Sequence, residues 1–312
     1  MADVTASMVK TLREMTGAGM MDCKKALNET NGDMDEAVEY LRKNGQAKAE
    51  KKAGRIAAEG LCRIATKSDT EAAVVEVNSE TDFVAKNDEF KTFVEAVAAQ
   101  AAATDTTDLD TFLAEPFISD SSKSLKEALV EKVAKIGENL SIRRFEKVIA
   151  REGFVATYLH GGGRIGVIVE AVCQEASPAA KEAVTNLAMQ IAALSPKYVS
   201  DAEVSDEYKA HELEIIKAQI AIDPKMEGKP DKVIVGAAQG RLSKQLKEVC
   251  LMDQIYVKAS DGKQTVKEYC AQVSKEIGTP LSIKRFVRYE TGEGIEKKQE
   301  NFAEEVAAQM RQ

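Results

Sequence analysis

The residues that could carry chemistry begin with a glycine-rich segment behind one of the two histidines of this 312-residue chain. His160 precedes Gly161, Gly163 and Gly166, which fit the GxGxxG spacing of dinucleotide-binding loops. Such a loop lies between a strand and a helix whose N-terminus holds the pyrophosphate. Here a strand-like run over 165–169 follows the glycines instead. We therefore predict a hairpin turn, with a histidine that is satisfied locally or faces solvent.

The remaining reactive side chains form no catalytic or metal-binding pattern. The five cysteines are far apart and odd in number, which favours reduced thiols over a disulfide framework. Neither the cysteines nor His160 and His211 have a zinc spacing, and the sequence contains no Walker-type phosphate loop. We therefore expect no cofactor, no metal and no enzymatic reaction.

A phenylalanine stands in the connection between a predicted strand and a predicted helix. Phe83 follows Asp82 in the segment Ser79–Asn87, and Asn87 or Asp88 can cap the next helix. A buried Phe gains about 1.5–3 kcal/mol, so physics alone favours a ring that folds back into its own core, with Asp82 capping a turn. The alternative is a hydrophobic knob with an adjacent carboxylate that fits a partner's pocket.

Met20 and Met21 leave the same two interpretations open. They follow Gly17-Ala18-Gly19, which breaks a first helix, and core packing is the default for apolar residues at helical spacing. A small helical module has little interior, however, and adaptable methionines suit recognition surfaces.

Charge and hydropathy exclude several classes of partner. The formal net charge is −8, so the chain is a poor general ligand for nucleic acid and suits a basic protein partner. No run of 18 apolar residues could span a membrane, and the first residues lack the pattern of a secretory signal. We expect a cytoplasmic protein.

An internal duplication organises the middle of the sequence. Ile136–Phe145 and Ile277–Phe286 share Ile, Gly, Leu, Ser, Ile, Arg and Phe at one fixed offset, whereas average composition gives about one match by chance. Two hairpin–helix–strand units packed together predict an α+β core with small antiparallel sheets.

The patterns also predict the bounds of the modules. In the N-terminal module, three short helices end at Asn44-Gly45, and a basic helical linker follows. An apolar stripe on the inserted helical hairpin needs a second copy or another partner. The predicted modules are 1–55 (three helices and linker), 56–148 (first core unit), 149–202 with 248–290 (second core unit), 203–247 (inserted hairpin) and 291–312 (C-terminal helical module).

Five segments that span the chain resemble the bacterial elongation factor Ts family. They are Leu12–Leu27, Thr81–Asn87, Lys135–Asn139, His160–Gly166 and Gly292–Glu296. The resemblance implies an N-terminal module similar to ubiquitin-associated domains, a duplicated core, and an antiparallel coiled-coil insertion used in dimer contacts. It also implies a non-enzymatic guanine nucleotide exchange factor. Such a factor binds elongation factor Tu–GDP, disrupts the Mg²⁺ and phosphate site, and releases GDP so that GTP can rebind.

The resemblance further implies which side chains contact the partner GTPase. Those near the nucleotide-bound Mg²⁺ are Thr81, Asp82, Phe83 and Val84, with Phe83 wedged between partner helices. The other implied contacts are Arg13, Met20, Met21, Lys24, Ile136, His160, Tyr256, Val257 and Phe302. Tyr256 and Val257 lie on a strand predicted at 254–258, where the sequence departs from the family's small apolar pattern.

Two other classes of function stay open on the residues alone. The first 45 residues could bind ubiquitin-like partners through Met20 and Met21, which would make the protein an adaptor. The glycine turn and His160 could instead serve an enzyme. Homodimerisation through 203–247 is a further possibility that the sequence does not decide.

Overall fold

A computed structural model describes residues 4–226 and 228–296 of the chain. The predicted C-terminal helix with Phe302 lies outside these described residues. Helices alternate with three small antiparallel sheets, of three, two and three strands. The predicted α+β class is therefore confirmed.

Three helices come first, and their buried faces pack on one another. Leu12, Cys23 and Leu27 are fully buried between them. Thr5 caps the first helix by accepting from Met8 N, and Asp33 caps the third by accepting from Glu36 N. The helices are α1 (Ala6–Thr16), α2 (Met20–Glu29) and α3 (Met34–Lys52).

The first core unit is a hairpin, a covering helix and a third strand. The sheet has the order β1-β2-β5, and α5 covers it with Phe90, Phe93 and Val94. Its strands are β1 (Glu59–Ser68), β2 (Glu71–Ser79) and β5 (Ser141–Ile149). Between β2 and β5 lie α4 (Asp82–Lys86), α5 (Asp88–Ala103), α6 (Leu109–Ala114), β3 (Pro116–Phe117), β4 (Asp120–Ser124) and α7 (Leu125–Ile136).

The predicted helix end at Asn44-Gly45 is wrong, because α3 continues through this pair to Lys52. Gly45 is buried where α3 packs against α7. A Cβ atom at Gly45 would lie 3.6 Å from Ala134 Cβ. The glycine therefore serves close helix packing here, and the predicted basic linker is the last part of α3.

The second core unit repeats the hairpin, covering helix and third strand of the first unit, interrupted by an insertion. Its sheet has the order β6-β7-β8, and the glycine segment after His160 is the predicted hairpin turn between β6 and β7. The elements are β6 (Phe154–His160), β7 (Ile165–Val172), α8 (Pro178–Leu194), α9 (Asp206–Ala221), α10 (Asp231–Val249), α11 (Val266–Ile277) and β8 (Ser282–Glu290). The pair α9 and α10 forms the predicted inserted hairpin.

A buried glutamate marks the same point in both sheets. The β2–β5 ladder shifts register after Glu76, and the β7–β8 ladder shifts after Glu170. Each carboxylate accepts hydrogen bonds from two consecutive basic side chains of the third strand, which are Arg143 and Arg144 in the first unit and Lys284 and Arg285 in the second. The predicted duplication is confirmed, and the two units share even the register shift after the buried glutamate.

A buried glutamine marks the covering helix in each unit. Gln100 lies in α5 and Gln190 in α8. Their side-chain oxygens accept hydrogen bonds from Ile118 N at 3.0 Å and from Val257 N at 2.8 Å. The connection that follows the covering helix is thus held in the same way twice.

The predicted strand at 254–258 is wrong. Ile255 forms only an isolated bridge with Thr265, and the chain turns at Val257. Tyr256, which corresponds to Phe117 of the first unit, is only 5% exposed, and its ring stacks on Tyr269 at 4.0 Å. The Tyr256 ring is therefore not accessible for the partner contact that was expected of it.

The C-terminal end of β8 clamps the two sheets together. Gly292 N donates to the Glu76 carboxylate at 2.8 Å, and Gly292 adopts φ +74° against the carbonyl of Ala58. Burial opposes the ionisation of Glu76, but this bond and those from Asn78 and the arginines outweigh burial and lower the pKa of Glu76. A charged carboxylate thus joins the turn to the first sheet.

The inserted hairpin is held by a small apolar seam of its own. Ile216, Ile220 and Ala238 are buried between α9 and α10, while Ile222 and Val235 are exposed.

All five cysteines of the chain are buried and unpaired. Within 4–226 and 228–296, no helix combines the length and apolar character that a membrane crossing requires.

Candidate protein-binding site

Phe83 projects from a single helical turn at the end of β2. Its side chain is 80% exposed, although the next two residues, Val84 and Ala85, pack against the first core unit. The interpretation in which the ring folds back into its own core is therefore wrong. Its neighbours on α4 supply the core contact, which leaves the ring free on the outer face.

The ends of α4 are fixed by caps. Thr81 Oγ1 accepts from Val84 N at 3.4 Å at the start of α4, and Asn87 Oδ1 accepts from Glu89 N at 2.8 Å at the start of α5. The predicted cap at Asn87 is confirmed. The turn at residue 82 is capped by Thr81, and not by Asp82 as expected.

Asp82 provides a charged group beside the exposed ring. Its carboxylate accepts a hydrogen bond from Lys86 Nζ at 2.6 Å, and both side chains are more than half exposed. This hydrogen bond holds the pKa of Asp82 below its usual value. The outer face of α4 therefore offers an aromatic ring and a carboxylate that stays charged at neutral pH.

The segment before α4 is braced by residues distant in sequence. The Glu138 carboxylate accepts from Glu80 N at 3.1 Å, from Thr81 N at 3.0 Å and from the Thr81 hydroxyl at 2.6 Å. Asn139 N donates to the Glu80 carboxylate at 2.6 Å, and the Asn139 amide donates to Arg55 O at 2.8 Å. The start of α4 and the end of the N-terminal module therefore share one brace.

The methionines after Gly-Ala-Gly lie on the surface. Met20 is 59% exposed and Met21 is 76% exposed. Core packing was the default expectation for both, and it is wrong, because Leu12, Cys23 and Leu27 already fill the small interior. Arg13 and Lys24 are also exposed. Met15, near the end of α1, is also 59% exposed. It was not identified from the sequence, although it lies two residues before the helix-breaking Gly17.

One lysine connects the methionine turn with the start of α5. A Cβ atom built on Gly17 would lie 3.7 Å from Lys135 Nζ, and this ammonium pairs with Glu89 at 2.7 Å. Glu89 also pairs with Lys132 at 2.8 Å. Burial opposes ionisation of Glu89, but the two lysines outweigh it and lower the pKa of Glu89. Lys135 therefore lies between the turn that precedes Met20 and the start of α5.

The other predicted contact residues have varied surroundings. His160 is exposed, with Nδ1 2.9 Å from the Tyr158 hydroxyl. The turn behind His160 docks on β1, where Gly163 O accepts from Cys62 N at 2.7 Å. Ile136 is half-buried at the end of α7, and Val257 is 50% exposed. Among the described residues, no hydrogen bond or ion pair joins His160 to the Phe83 segment.

The site is suited to binding a protein surface. Its outward groups are one aromatic ring, flexible thioethers and a few charges, all of which bind without covalent chemistry. In the part of the chain that the structure describes, no cluster of His, Cys, Asp or Glu could hold a metal ion.

Comparison with known proteins places these features in a family. The profile of the family described as Elongation factor TS matches residues 80–293. The chain is 50% identical over 310 residues to the elongation factor Ts of Clostridium novyi (strain NT), covering 99% of both chains. It is 52% identical to that of Clostridioides difficile (strain 630), covering all of both chains, and 48% identical to that of Clostridium tetani (strain Massachusetts / E88), covering 98% of this chain and 99% of the relative.

Proposed function

The chain belongs to the elongation factor Ts family and thus to the factors of translation elongation, and we propose that it is the guanine nucleotide exchange factor of elongation factor Tu. It binds the GDP form of that GTPase, displaces the Mg²⁺ and phosphate contacts, and releases GDP so that GTP can enter. The observation that carries this proposal is the exposed Phe83 ring beside the charged Asp82 on a braced helical turn. The protein itself is not an enzyme in this mechanism.

The energetics require more than one contact. A factor that prefers the empty GTPase weakens GDP binding by the same ratio, and a 10⁴-fold weakening needs about 5.5 kcal/mol of differential binding. Burying the Phe83 ring supplies about 1.5–3 kcal/mol. Asp82 and the surfaces that anchor α4 must contribute the remainder.

The exposed turn around Met20 and Met21 is the proposed anchor. With Arg13 and Lys24 it forms an apolar patch with basic neighbours, which suits the nucleotide-binding domain of the GTPase. His160 and Val257 extend the contact along the second core unit. The proposed contact through Phe302 lies outside the described residues.

Release of a fluorescent GDP analogue from elongation factor Tu tests the proposal. The wild-type chain at micromolar concentration should accelerate release, and Phe83→Ala should slow the stimulated release at least about tenfold, since loss of about 1.4 kcal/mol or more of preferential binding corresponds to that factor. Ile118→Ala is the matched control, because it truncates a 52% exposed hydrophobic side chain of the same core unit. An inactive wild type, or a fully active Phe83→Ala, would contradict the proposal.

Homodimerisation through the inserted hairpin remains a prediction. The exposed Ile222, Val233 and Val235 leave apolar surface directly after α9 and on α10. Light scattering of the free protein, with and without the GTPase, would give the stoichiometry.

A further inference from the structure

The two core units differ where the first one carries Phe83. From the register shift at Glu76 to the helix cap Asn87 is eleven residues, whereas from the equivalent Glu170 to the cap Ser177 is seven. Four additional residues correspond to about one helical turn. The one-turn helix α4 is therefore an addition to the first unit.

The two units differ at a second place in a related way. Ile136–Ile142 and Ile277–Ile283 are identical at five of seven positions. The two that differ are Glu138 and Asn139, where the second unit has Thr279 and Pro280. The hydroxyl of Thr279 is buried and has no hydrogen-bond partner among the described residues. The second unit lacks the additional turn, and its Thr279 does not make the hydrogen bonds that Glu138 makes in the first unit.

Glu138 accepts hydrogen bonds from the residues that begin the additional turn. One carboxylate oxygen accepts from Glu80 N and Thr81 N, and the other accepts from the Thr81 hydroxyl. The Thr81 oxygen in turn caps α4 by accepting from Val84 N. Phe83 lies between Thr81 and Val84, so the hydrogen bonds of Glu138 fix the backbone of the turn from which the ring projects.

We propose that Glu138 is a positioning residue for Phe83. This inference rests on the proposed exchange function, but it assigns Glu138 no contact with the GTPase. A helix of five residues is not stable alone, so without the brace the ring samples many directions. Because folding already orders this turn, less conformational entropy is lost when the ring meets the partner.

The test measures stimulated GDP release as a function of factor concentration, for variants of the full chain. Glu138→Ala should lower the maximal rate about tenfold, because hydrogen bonds to a charged group are worth roughly that factor or more. Glu138→Gln should stay within about threefold of wild type, since its amide oxygen can accept the two backbone N–H groups and its NH₂ can donate to the Thr81 oxygen. Glu268→Ala is the matched control, because Glu268 accepts from Thr265 N and the Thr265 hydroxyl in the second unit.

A double mutant separates positioning from a general structural effect. In the Phe83→Ala background, Glu138→Ala should cause no further loss, because it acts only through the ring. Additive losses would overturn the proposal, and so would Glu138→Gln being as impaired as Glu138→Ala, which would show that the charge itself acts on the partner. If Glu138→Ala does not fold, Glu138→Asp replaces it and should also lower the maximal rate, because its carboxylate keeps the charge but is one methylene short of the Glu80 and Thr81 donors. A fully active Phe83→Ala would refute the exchange mechanism separately.

Discussion

Truncation of two phenylalanines seven residues apart should lower stability by very different amounts. Phe83 is 80% exposed, and Phe90 is fully buried against the first sheet. If burial of a whole Phe side chain stabilises by about 1.5–3 kcal/mol, the buried fifth of Phe83 contributes about 0.3–0.6 kcal/mol. Phe90→Ala also leaves a cavity and should cost about 3–5 kcal/mol. The free energy of unfolding should therefore separate the two variants by several kcal/mol.

Urea unfolding followed by far-UV circular dichroism measures this difference. Circular dichroism is the appropriate signal because the chain contains no Trp. Phe90→Ala shows that the assay detects loss of core packing. If Phe83→Ala lowered the free energy of unfolding by more than about 1.5 kcal/mol, its ring would support the fold. The reasoning that makes Phe83 a free contact group would then be wrong.

Two more predictions concern the clamp between the sheets. Gly292→Ala should lower the free energy of unfolding by about 2 kcal/mol or more in urea, because a Cβ would lie 2.1 Å from Ala58 O at φ +74°; equal stability would contradict the close approach. Because folding lowers the pKa of Glu76, its contribution is complete above the unfolded value near 4.5 and is lost as the pH falls through the lower folded value. The stability difference between wild type and Glu76→Gln should therefore narrow as the pH falls below about 4.5, and a constant difference would exclude this linkage.

The periodic elements could be predicted because their signals are local. Helix α5 follows from apolar residues at helical spacing behind the cap Asn87. The repeated Ile-Gly and Leu-Ser-Ile segments predicted the second sheet from the first. The cap and the apolar spacing lie within one element, and the repeated segments lie in the two copies of one unit. Both kinds of signal can therefore be read from a single sequence.

The failures depend on contacts between distant residues. Gly45 is a helix breaker by local rules, but it lies inside α3 where this helix packs against Ala134 of α7. Tyr256 resembled part of a strand, yet Gln190 holds the neighbouring residue in a turn. The start of α4, which carries Phe83, is held by Glu138, which lies 57 residues from Thr81 along the chain. No local pattern contains these pairs.

Under the proposed exchange function, the hydrogen bonds of Glu138 and Thr81 matter because the factor must discriminate between two states of the GTPase. A ligand that binds the GDP form and the empty form equally well shifts nothing, however tightly it binds. A freely rotating Phe83 could find an apolar contact on either form, and its binding energy would then be uniform. In the proposed mechanism, Thr81 and Glu138 hold the backbone that carries the ring, and this restricted ring favours the form whose Mg²⁺ region has moved aside. In the proposed mechanism, the rigidity of α4, and not the hydrophobicity of Phe83 alone, converts binding into release of GDP.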